Sequence, residues 1–105
     1  MTHELVVLVT TPGTELAETI ARAVVEERLA ACVNIIRQVE SIYRWEGEVS
    51  VDSESLMLIK TASDKYDQLE ERIKELHTYS NPEVVALKIE RGAADYLNWI
   101  VESTS

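Results

Sequence analysis

Between Cys32 and Thr61 the chain carries two long β-favouring stretches separated by Glu46-Gly47, and few folds accommodate a hairpin of that length. The first stretch, Cys32 to Trp45, mixes Val33, Ile35, Ile36, Val39, Ile42 and Tyr43 with polar residues and holds neither Pro nor Gly, which favours strand over helix. Gly47 is the only glycine between residues 14 and 91, and it supplies the positive φ that a tight strand connection needs. The second stretch, Glu48 to Thr61, has Val49 and Val51, a polar patch from Asp52 to Ser55, and then the apolar run Leu56, Met57, Leu58, Ile59. Each arm of about 14 residues, at roughly 3.3 Å per residue, gives a hairpin about 45 Å long. A compact chain of this size has a radius of gyration near ~13 Å, so the tip must project beyond the body unless a bulge bends it back. Tyr43 and Trp45 then stand in water beside open strand edges, which proteins avoid. The expectation is a homo-oligomer whose hairpins pair or pack between subunits.

The flanking segments repeat one unit. Glu4 to Thr11 is a strand whose run Leu5 to Val9 suits a central place in a sheet, and Thr11-Pro12-Gly13 ends it. From Thr14, Leu16, Ile20, Ala23 and Val24 fall at helical spacing, predicting a helix that ends near Leu29 to Ala31. After the hairpin, Thr61-x-x-Asp64 resembles a capping box and opens a second helix over Ser63 to His77, with Tyr66, Leu69, Ile73 and Leu76 inward. A last strand follows over Glu83 to Arg91, then a short helix over Ala93 to Glu102 that leaves Trp99 available to a partner subunit. Strand, helix, strand, strand, helix, strand predicts an α+β, ferredoxin-like βαββαβ antiparallel sheet. Both crossover helices lie on one face, an extra helix closes the chain, and residues 1–105 form a single domain.

The charge narrows the partners. Ten basic and 19 acidic side chains leave a net charge of -9, the wrong sign for nucleic acid or an anionic membrane surface. Met1 to Glu4 offers no basic leader and Leu5 to Val9 is too short for a signal or a membrane span, so the expectation is a soluble, cytoplasmic protein. Cys32 is the only cysteine, which agrees with a reducing compartment. It reads first as a small buried hydrophobe and second as a reactive thiol or metal ligand.

Few residues carry chemistry. The chain has no phosphate-cradling glycine loop, no HExxH and no cysteine pair, and an enzyme is not expected. A free terminal amine, the intervening amides and the His3 imidazole could capture Cu(II) in a square-planar site, with a mobile tail as the alternative. His77 closes the second helix, where the macrodipole alone favours it. Alternatively His77 and Glu83 are N and O ligands of a divalent cation, with water or a neighbouring subunit completing the shell.

Several separated motifs then resemble one family. Glu27 to Asn34, Tyr43-Arg44-Trp45-Glu46-Gly47, Ile59-Lys60-Thr61, His77 to Ala86 and Tyr96-Leu97-x-Trp99-Ile100 are similar to the CutA family of divalent-cation tolerance proteins, over nearly the whole chain. The resemblance implies a ferredoxin-like subunit, a homotrimer built on long hairpins, a cytoplasmic location, and a link to copper or other heavy-metal tolerance. It places Arg28, Cys32, Tyr43, Trp45, Tyr79, Glu83 and Trp99 at or near the subunit interface or its cleft. The family's loop reads His-Pro-Tyr-acid-x-Pro-Glu. Here Thr78 and Ser80 replace the first Pro and the acid, and Val9 and Leu76 occupy positions that hold Cys and His in some copper-binding relatives.

Three functions fit these residues. One is a metal-binding trimer acting in cation tolerance through His77 and Glu83. Another is a regulatory trimer that resembles the PII signalling proteins, with small ligands in its clefts. The last is a structural trimer that docks another protein through Trp99 or the terminal helix.

Overall fold

The apolar run in Glu4–Thr11 forms β1, a strand hydrogen-bonded on both sides within a four-stranded antiparallel sheet. The computed structural model describes residues 3–105. Along the chain β1 is followed by α1 (Thr14–Glu26), β2 (Cys32–Trp45), β3 (Glu48–Ala62), α2 (Tyr66–Leu76), β4 (Val85–Lys88) and α3 (Ala94–Ser103), and the sheet order is β2-β3-β1-β4. This is the expected ferredoxin-like arrangement. Alternate residues of β1 and β3 point to one face, where Val7, Val9, Met57 and Ile59 pack against Ala17, Ile20, Val24, Leu69 and Ile73 of α1 and α2. Val9 is fully buried in this core. Ile100 of α3 is also fully buried but stands outside that cluster. Tyr96 reaches Cys32, whose register partner Lys60 points away from the core side of Ile59, so α3 lies over the opposite face.

The hairpin forms where expected, with its first arm over Cys32–Trp45 and its second extending one residue further, to Ala62. The chain extends 44 Å along its longest axis, and β1 pairs with β3 only as far as Thr11 opposite Ser55. Beyond that point the hairpin is a two-stranded ribbon. Glu46 and Gly47 have φ of 49° and 83°, the paired positive values of the tight turn whose twist suits a hairpin. Between Ile36 and Val39 the register shifts, so that Arg37 and Gln38 together oppose Ser55. Ser55 Oγ donates to Arg37 O at 2.8 Å and fills the bulge. One extra residue exchanges the faces of everything beyond it. Tyr43 and Trp45 therefore join the face of Leu8, Leu56 and Leu58, and Ile42 takes the other face with Val49 and Val51.

Several boundaries differ from expectation, each for a visible reason. Helix α1 stops at Glu26 because Arg28 adopts φ 61°, and Leu29 N–H donates to Val24 O (2.9 Å) while Arg28 N–H donates to Val25 O (3.1 Å), a Schellman closure. The capping box at Thr61 does not form. Thr61 Oγ1 donates to Leu29 O at 2.7 Å instead, and residues Ser63–Lys65 make a 3-10 turn before α2. Strand β4 is shorter than Glu83 to Arg91 because it pairs only with Leu5 to Leu8, and Val84 turns inward against the core with its carbonyl 3.4 Å from Tyr66 Oη. Cys32 is half-buried, not enclosed, because it sits at the sheet's edge strand beneath Tyr96. The terminal amine of the supposed His3 site lies outside the described residues. His3 itself donates its N–H to Ser63 Oγ at 2.8 Å and accepts from Ser63 N–H at 2.6 Å.

Candidate functional site

The loop after α2 is held to the end of β1 by one buried side chain. His77 is 8% exposed, and its Nε2–H donates to Thr10 O at 2.8 Å while its Nδ1 accepts from Tyr79 N–H at 3.1 Å. The two bonds together fix a neutral imidazole with its proton on Nε2. The ring lies 4.8 Å from that of Tyr79. Tyr79 is thereby aimed across the sheet at the hairpin, where its hydroxyl donates to Glu54 Oε2 at 2.8 Å.

The hairpin supplies the other wall. Asp52 and Glu54 are successive same-face positions of β3, opposite Ser41 and Val39. Tyr43, opposite Ser50, reaches diagonally to donate its hydroxyl to Asp52. Between ribbon and loop lies a cavity of about 770 Å³ lined by Tyr43, Trp45, Asp52, Glu54, Tyr79 and Glu83, among others. Arg44 also contributes, but its Nη1 donates to Gly47 O at 3.3 Å and so points at the turn. Burial, together with the Glu54 carboxylate, pushes the Tyr79 phenol well above its ordinary value. The hydrogen bond to Asp52 is the main cause of a rise at Tyr43. Both phenols therefore stay protonated as donors to carboxylates.

The expected site residues divide into groups. Tyr43, Trp45, Tyr79 and Glu83 share the groove. Cys32 and Trp99 belong to a second cluster, in which Tyr96 Oη lies 3.6 Å from Cys32 Sγ and its ring 5.6 Å from that of Trp99. That contact with Cys32 and burial raise the Tyr96 phenol. Arg28 is exposed in the α1–β2 connection and lines no part of the groove. His77 and Glu83 flank the same loop, yet both imidazole nitrogens are engaged within the chain, while Glu83 is among the residues that line the groove. Among the described residues, no group of three or more His, Cys, Asp or Glu side chains converges to hold a metal ion. Asp52 and Glu54 were legible only as a polar patch, since their place beside Tyr43 depends on the bulge. No described helix is long and apolar enough to cross a membrane.

Comparison with known proteins agrees across sequence and structure. Residues 5–103 match the family model described as CutA1 divalent ion tolerance protein. A curated protein of Thermus thermophilus, named divalent-cation tolerance protein CutA, is 55% identical over 101 residues, covering 96% of this chain and 98% of its own length. A solved structure described as divalent cation tolerance protein (Cut A1) from Thermus thermophilus superposes with a TM-score of 0.95 at 55% identity, over 97% of this chain and 99% of that one. Another, described as the periplasmic divalent cation tolerance protein CutA from Archaeoglobus fulgidus, gives 0.94 at 37% identity, again over 97% and 99%.

Proposed function

Because the chain belongs to the CutA family of divalent-cation tolerance proteins, we propose that it acts in divalent-cation tolerance as a cytoplasmic, non-catalytic homotrimer whose hairpins are buried between subunits and whose groove gathers cations. The observation that carries the assembly is that the hairpin tip leaves large apolar side chains exposed on both faces. Trp45 is 53% exposed on one face, and Ile42 and Val49 are each 64% exposed on the other. A ribbon with two uncovered apolar faces needs neighbours on both sides, which a closed ring of copies supplies.

The groove favours cations because Asp52, Glu54 and Glu83 line it within a chain of net charge -9. The described residues of one subunit complete no metal shell, so a divalent cation held as cargo would take Glu83 as a protein ligand and further donors from water or the adjacent subunit. His77 would join only by surrendering its bond to Thr10 or to Tyr79. The free thiol of Cys32 supports a reducing compartment.

Sedimentation at micromolar concentration tests the assembly, with three times the 11.9 kDa subunit mass as the expected result and a monomer as the refuting one. Calorimetric titration with Cu(II) and Zn(II) tests the cargo. Heats that persist unchanged in both His77→Ala and Glu83→Gln would place the cation elsewhere.

A further inference from the structure

We draw no further inference here: the strongest candidate, the apolar sheet edge at β4 that exposes Val85 and Leu87, carries none, because nothing in the structure shows what covers it.

Discussion

Tyr79 and Glu54, 25 positions apart, are joined by a 2.8 Å hydrogen bond that ties the loop after α2 to the projecting part of the hairpin. It joins two segments that no ladder pairs with each other, since β1 stops pairing with β3 at Thr11 opposite Ser55 and β4 begins only at Val85. Removing the hydroxyl in Tyr79→Phe keeps the ring against His77 and deletes only this bond. The expected loss is at most about 1 kcal/mol of stability, because both partners are reached by water. Hydrogen exchange should accelerate in residues 78–84 and not in α2, and unaltered loop exchange would show that the bond does not order the loop.

His77 provides a sharper division between structure and metal binding. Its ring satisfies Thr10 O and Tyr79 N–H from a buried position, so His77→Ala leaves a carbonyl and an amide without partners and opens space beside the core. A loss of about 2 kcal/mol or more is expected in urea denaturation performed in chelator. If His77 serves only as a metal ligand, the metal-free protein should lose nothing.

Arg28 sits in the left-handed region at φ 61° to close α1, a conformation that costs a residue with a Cβ about 1 kcal/mol or more. Arg28→Gly should therefore raise the unfolding free energy read by denaturant titration by roughly 1 kcal/mol, less the entropy that glycine adds to the unfolded chain. A simultaneous weakening of the proposed trimer in sedimentation would assign the guanidinium to the interface. No gain in stability would mean that the Arg28 side chain offsets its own backbone strain.

Much of the fold was legible because local and long-range preferences agree. The β-branched arms, the lone Gly47 and the 3.6-residue spacing of Leu69, Ile73 and Leu76 each point to the element that forms. Three features were not legible. Arg28 does the work usually given to glycine, so nothing in its identity marks the end of α1. The bulge at Arg37 and Gln38 depends on Ser55 across the ladder, and it alone decides that Tyr43 meets Asp52. The engagement of both His77 nitrogens is tertiary, since Thr10 lies 67 positions away. The groove's members were thus nameable, but not which of them face one another.

Ile42 and Val51 oppose each other on the ribbon face that Tyr43 leaves, and both are more than half exposed. Burying one such side chain contributes about 1.5–3 kcal/mol, and a closed ring repeats each contact in every copy. Ile42→Lys with Val51→Lys should convert the assembly to monomers with little change in subunit secondary structure. An unchanged sedimentation mass would exclude this face from the interface.

Tyr66 links the alkaline and acid sides of stability through one hydrogen bond, its Oη donating to Glu70 Oε1 at 2.8 Å. Burial, and then Glu70, push the phenol up to about 12 from an ordinary value of 10.0. Folding therefore favours the protonated phenol. Its contribution is complete below pH 10.0 and disappears as pH rises through about 12. Glu70 behaves in the opposite sense. The Tyr66 hydroxyl, followed by Lys74, holds its carboxyl below the usual 4.5, so its contribution is present above that value and is lost as pH falls through the lowered one. Tyr66→Phe removes the group that titrates at high pH and the main donor that acts at low pH. Its stability, measured by denaturant titration at each pH, should consequently fall less steeply than wild type both between pH 10.0 and 12 and below pH 4.5. Parallel wild-type and variant curves in both windows would mean that the Tyr66–Glu70 bond is no stronger in the folded chain than its hydration in the unfolded one.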